Sequence, residues 1–184
     1  RSISVNTAGN YSVTVTNSNG CKGTSAVKTV TVNALPVATV SAGGLTTFCQ
    51  GGNVTLTVSA ASSYLWSNGA TSQSITVNTS GNYSVIVTNA SGCSATSDAT
   101  NVTVNPLPFA TITPNGPTTF CSGTSLLLNA NSSATLLYQW KLNGNNVGSN
   151  SNTFTATQAG DYTVELNNSC GTVISSNNIT VIIN

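Results

Sequence analysis

The sequence predicts an all-β protein made of β-sandwich modules in tandem, and three observations carry that expectation. Apolar and polar residues alternate with period two in segment after segment, and no helical stripe occurs. Short apolar runs are separated by Gly and Asn turn signals such as Asn68-Gly69. The pattern then recurs: Gly9-Asn10-Tyr11-Ser12-Val13-Thr14-Val15-Thr16-Asn17 returns as Gly81-Asn82-Tyr83-Ser84-Val85-Ile86-Val87-Thr88-Asn89. Cys21 and Cys93 are 72 residues apart (93 − 21), and so are Cys49 and Cys121 (121 − 49).

The best-defined module covers residues 36–107. Val37 to Val40 reads as its first strand, and Val54, Leu56 and Val58 line one face of the next after Cys49 and a Gln50-Gly51-Gly52 turn. Ser63 to Trp66 is a short strand closed by Asn68-Gly69, and Ser74 to Val77 is another. Tyr83, Val85 and Val87 face one way in the strand that follows, and 98–105 closes the module. Residues 108–184 repeat the plan: Leu126, Leu128 and Ala130 stand for Val54, Leu56 and Val58, Tyr138 and Trp140 for Tyr64 and Trp66. Tyr162 precedes Cys170 by eight residues where Tyr83 precedes Cys93 by ten; the even difference keeps the cysteine on the same strand face.

Residues 1–35 read as the C-terminal half of a module, with Tyr11, Val13 and Val15 on its penultimate strand. Two readings compete for the missing front half. The chain is a piece of a longer array, or another molecule supplies the half. The junctions Asn33-Ala34-Leu35-Pro36 and Asn105-Pro106-Leu107-Pro108 carry proline, which holds them extended as semi-rigid spacers.

Paired by repeat position, the cysteines give one bond inside each complete module, Cys49–Cys93 and Cys121–Cys170, and leave Cys21 unpaired in this chain. Closing loops of 44 (93 − 49) and 49 (170 − 121) residues contributes about 4 kcal/mol each. Such bonds imply an oxidising, extracellular or cell-surface location. The alternative is buried, reduced cysteine. Zinc is disfavoured, because the chain has no His and no Cys-x-x-Cys.

Charged residues make up 4% of the chain, and Ser, Thr and Asn roughly two-fifths, so neutral hydroxyls and amides solvate the surface. A net charge of +1 leaves no footprint for nucleic acid or for an anionic membrane surface. No apolar run approaches the ~18 residues of a membrane span, so direct insertion is not expected. Asp98, Asp161 and Glu165 do not pair as glycosidase or calcium carboxylates, and no His activates the many hydroxyls. Neither catalysis nor a cofactor or metal is expected.

Trp66, Trp140, Tyr83 and Tyr162 are the expected core aromatics, the indoles packing over the disulfides and the tyrosine hydroxyls bonding backbone. A sugar-stacking role for the indoles is the alternative and requires them to face solvent. Residues 141–150 differ most between the copies, which makes Lys141, Asn143, Asn145 and Asn146 either a longer hairpin or a binding loop.

The motifs Tyr64-x-Trp66-x-x-Gly69 and Gly81-Asn82-Tyr83-x-Val85-x-Val87-x-Asn89-x-x-Gly92-Cys93 resemble the tandem immunoglobulin-like (Ig-like) and PKD-like modules of Bacteroidota surface and secreted proteins. Phe48-Cys49-x-Gly51, Phe120-Cys121-x-Gly123 and the Asn105-Pro106-Leu107-Pro108 junction fit the same group, and the resemblance spans essentially the whole chain. It implies Ig-like sandwiches serving as spacers or attachment modules, in proteins often exported by the type IX route. The acidic Gly-Asp-Gly turn of PKD modules is replaced by Ser67-Asn68-Gly69, so metal binding is not carried over. The function expected is an extracellular stalk, adhesin or filament segment whose partners are neighbouring modules of the same or an identical chain. The alternatives are an adhesive module for surface glycans and a fibre subunit completed by its neighbour.

Overall fold

A computed structural model describes residues 2–133 and 135–184, and every regular element among them is a β-strand. The chain forms two compact units, one of residues up to Gly43 with Thr55–Thr76 and Asn82–Asn101, the other of Gly44–Val54, Val77–Gly81 and Val102–Asn184.

In the first unit, strand Val85–Thr88 pairs antiparallel with Ser63–Trp66 on one side and Ser94–Thr96 on the other. Alternation places Val85 and Val87 inward, with Ile86 between them 40% exposed. The N-terminal copy of this pattern makes only two-stranded ribbons: Gly9–Tyr11 with Lys28–Val30, and Thr14–Thr16 with Lys22–Thr24. Among the described residues no further sheet covers them. Val13 and Val15 are 59% and 64% exposed, where their equivalents Val85 and Val87 are 1% and 0%.

The last repeat, within the second unit, is a sandwich. Ile112–Pro114, Leu126–Ala130 and Thr153–Ala156 form one sheet; Leu137–Leu142, Gly160–Asn168 and Ile179–Ile183 build the other. Ile112, Leu126, Leu128 and Ala156 of the first sheet meet Trp140, Tyr162, Val164, Leu166 and Val181 of the second in one buried cluster. The front strand Thr119–Phe120 runs parallel to the closing strand, Phe120 opposite Ile183. Its counterpart Thr47–Cys49 runs parallel to Thr103–Asn105 in the same way, Cys49 opposite Asn105.

Where strands face solvent, hydroxyls pair across them. Thr14 meets Thr24 at 3.0 Å, Thr57 meets Ser74 at 2.9 Å and Thr88 meets Ser94 at 2.8 Å. Lys141 and Glu165 form a salt bridge at 2.6 Å.

Gly160 opens the longest strand at φ +141°, and a Cβ there would lie 2.6 Å from Leu142 Cδ1 and 2.7 Å from Asn143 Nδ2. Left-handed backbone and collision act together, so Gly160→Ala should destabilise the chain by about 2 kcal/mol in urea denaturation. Gly116→Ala, with Leu126 Cδ1 at 3.6 Å, is the tolerated control.

Candidate functional site

The sulfur pairing differs from the expected one. Cys49 is bonded to Cys170, at a sequence separation of 121 and with Cα atoms 5.4 Å apart, while Cys21, Cys93 and Cys121 are free thiols. The expected pairs Cys49–Cys93 and Cys121–Cys170, one inside each module, are therefore replaced by a single bond from one sequence repeat to the next. The reason lies in where each cysteine sits. Cys49 ends a strand beside Asn105, at the junction that follows its repeat, and Gln50 N–H donates to the Asn105 carbonyl at 2.8 Å. Cys93 instead occupies a hairpin tip whose Sγ lies 4.0 Å from the Asn33 carbonyl, at the junction that precedes its repeat.

Each hairpin tip is built by an asparagine. Asn89 Oδ1 accepts from Ser91 N–H and Cys93 N–H, both at 3.0 Å, with Gly92 at φ +79° completing the turn. Asn17 Oδ1 does the same for Asn19 and Cys21, both at 3.0 Å. The shorter third tip keeps the essential bond, Cys170 N–H donating to Asn168 Oδ1 at 2.8 Å. The amide's other end reaches the junction. Asn168 Nδ2 donates to the Pro106 carbonyl at 3.1 Å, and Asn89 Nδ2 to the Ala34 carbonyl at 2.9 Å. Cys170 Sγ then lies 3.8 Å from Asn105 O, matching Cys93 and Asn33. The signal for this arrangement is present in the sequence: both asparagines and both junctions repeat, and the cysteines follow turn residues rather than mid-strand ones. Asn168→Ala removes two hydrogen bonds that orient Cys170 and should cost about 1–2 kcal/mol, read by urea denaturation with the disulfide intact.

The remaining candidates serve the framework. Trp66 and Trp140 are 2% and 0% exposed, and their Nε1–H groups donate to the carbonyls of Ser72 (2.8 Å) and Ser151 (2.9 Å). Indoles so buried offer no face to a sugar ring. Tyr83 and Tyr162 are buried as well, and the Tyr162 hydroxyl donates to the Gln158 carbonyl at 2.9 Å. Burial raises the Tyr162 pKa above its ordinary value. Tyr64 and Tyr138 pin the turns before their strands. The Tyr64 hydroxyl accepts from Ala61 N–H at 2.9 Å and donates to the Ala61 carbonyl at 3.1 Å, and the Tyr138 hydroxyl accepts from Ser133 N–H and donates to the Asn131 carbonyl, each at 3.2 Å.

Residues 141–147 form a tight hairpin with Asn143 at φ 51° and Gly144 at φ 83°, the two left-handed positions such a turn requires. Lys141 is engaged by Glu165, and Asn143 Oδ1 accepts from Asp161 N–H at 2.9 Å. Asn145 and Asn146 are exposed. Among the described residues no three His, Cys, Asp or Glu gather as a metal site, and no helix is long and apolar enough to cross a membrane. The depression lined by Asn115, Pro117, Thr119, Phe120 and Leu126 holds no charged side chain. Among the described residues no catalytic cluster is formed.

No protein-family model and no curated protein sequence matches the chain. Solved structures do. The N-terminal eight Ig domains of Down Syndrome Cell Adhesion Molecule match at TM-score 0.51 and 14% identity, over 95% of this chain and 30% of that one. An I-band fragment of titin matches at TM-score 0.47 and 15% identity, over 83% and 66%. Murine CEACAM1b matches at TM-score 0.41 and 16% identity, over 80% and 100%. The first of these similarities establishes an Ig-like fold in tandem, and at these identities only the fold.

Proposed function

We propose that this chain is a non-catalytic structural segment of an extracellular or cell-surface protein, a stalk, adhesin or filament built of Ig-like repeats. One observation carries the reading: the disulfide joins residues of successive repeats instead of clamping one repeat's core. A bond in that place resists separation of neighbours under load, and it calls for an oxidising compartment. The domains proposed are residues 1–35, 36–107 and 108–184. The name of the cell adhesion molecule whose Ig array matches, and the resemblance to Bacteroidota surface modules exported by the type IX route, support the same setting.

The first repeat's bare valines favour a second reading, a fibre subunit whose open half is covered by a neighbouring chain. A glycan-binding surface is the third, and Asn145 and Asn146 are the exposed amides it would use. Two measurements separate these. Pulled from its ends, the oxidised chain of the structural reading keeps the stretch between Cys49 and Cys170 out of the extended length. Saturable binding to an immobilised glycan panel, lost in Asn145→Ala/Asn146→Ala, would replace that reading with the adhesive one.

A further inference from the structure

The hairpin of Cys93 is seated on its junction as the hairpin of Cys170 is, contact for contact. Asn89 Nδ2 holds the Ala34 carbonyl and Cys93 Sγ faces Asn33 O at 4.0 Å; Asn168 Nδ2 holds the Pro106 carbonyl and Cys170 Sγ faces Asn105 O at 3.8 Å. The residues underneath are identical, Thr31-Val32-Asn33 against Thr103-Val104-Asn105. What differs is the third component. Thr103–Asn105 carries a parallel strand, Thr47–Cys49, whose last residue is the cysteine bonded to Cys170. That strand is fixed at both ends, by Thr103 N–H to the Thr46 carbonyl and by Gln50 N–H to the Asn105 carbonyl, each at 2.8 Å. Residues 31–33 lie in no strand, and all three are exposed.

We propose that Cys93 and the edge formed by residues 31–33 are a strand-and-disulfide acceptor site for an extended Thr-Phe-Cys-Xaa-Gly segment outside residues 1–184. The thiol does not stand alone in this assignment, because its repeat equivalent is observed bonded to a cysteine delivered on that same kind of segment. The edge supplies the Thr31 N–H and the Asn33 carbonyl to an incoming parallel strand. Asn89 fixes the hairpin so that the Cys93 sulfur already stands at the end of that strand. Cys21 has the identical turn, but among the described residues no hydrogen bond runs from Asn17 Nδ2 to a junction, and Cys121 follows the end of a front strand instead of a hairpin turn. The site therefore discriminates among three thiols on one chain. This assignment does not rest on the stalk reading, and the experiment below bears on the site alone.

The test uses the full chain and a synthetic peptide of sequence 44–52, Gly-Leu-Thr-Thr-Phe-Cys-Gln-Gly-Gly, with its cysteine carried as a mixed disulfide to 2-thiopyridine. The Cys93 thiolate attacks the peptide sulfur, a protein–peptide S–S bond forms, and 2-thiopyridone leaves with the electron pair and takes up a proton. No outside oxidant is needed. Digestion and mass spectrometry then read the rate at each cysteine. Cys93 should react at least about tenfold faster than Cys21 or Cys121, although it is the least exposed of the three. A peptide with proline in place of Gln lacks the N–H that Gln50 donates to Asn105, and the preference should vanish. Asn89→Ala should bring Cys93 down to the rate of Cys21. Labelling in order of exposure, or a preference that survives the proline peptide, would each overturn the proposal.

Discussion

Reduction of the Cys49–Cys170 bond should lengthen the fully stretched chain by about 420 Å, a sequence separation of 121 at ~3.5 Å per residue. The gain should appear in single-molecule extension as one population that reductant adds and that Cys49→Ser shows without reductant. The same bond should contribute stability through the unfolded state. Closing a loop of 121 residues removes chain entropy worth about 5 kcal/mol at room temperature, and native-state strain lowers what is realised. Denaturation in urea should therefore show a lower midpoint after reduction. Bonds inside each module would give a different length signature, two smaller increments from loops of 44 and 49 residues. A reductant-induced gain of that smaller size would disprove the cross-repeat pairing.

Trp140→Ala should cost about 4 kcal/mol, the range for emptying an aromatic site in a packed core. Three effects add. The indole is wholly buried, its ring stacks on Phe154 with centroids 5.7 Å apart, and Phe154 in turn rests on Tyr162 at 5.6 Å. Its Nε1–H also satisfies the Ser151 carbonyl. Trp140→Phe keeps most of the volume and loses the hydrogen bond, so a cost nearer 1 kcal/mol is expected. Guanidinium or urea titration followed by far-UV circular dichroism checks both. Equal losses for Ala and Phe would mean that the hydrogen bond, and not packing, sets the role of this residue.

The strands are legible in this sequence where burial alternates along them: Val54, Leu56 and Val58 are buried, and Thr55 between them is exposed. The same alternation marks Tyr162, Val164 and Leu166 as one face. The disulfide partner is not legible from the repeat alone. A cysteine's place within a repeat is defined modulo 72 residues, so the same spacing fits a partner in its own module or in the next. Parity fixes the face of a strand and says nothing of which repeat lies opposite. Loop-closure cost rises only logarithmically with length, so it does not penalise the longer connection strongly. The deciding clue is position along the element. Cys93 follows Gly92 at a hairpin tip and Cys49 ends an edge strand, whereas a bond between facing sheets draws on inward positions within strands, the places that Val85 and Leu56 hold here. In a related way, residue type alone does not separate the turn chemistry of Asn143 and Gly144 from a ligand contact.

The hydroxyl pairs that line the outer faces of these strands have an environmental consequence. Attraction between Thr57 and Ser74 or between Thr88 and Ser94 involves no ion, so dissolved electrolyte has almost nothing to screen. With no imidazole anywhere in the chain, mild acidification protonates no ordinary side chain either. Such a surface keeps its shape in brine and in fresh water alike.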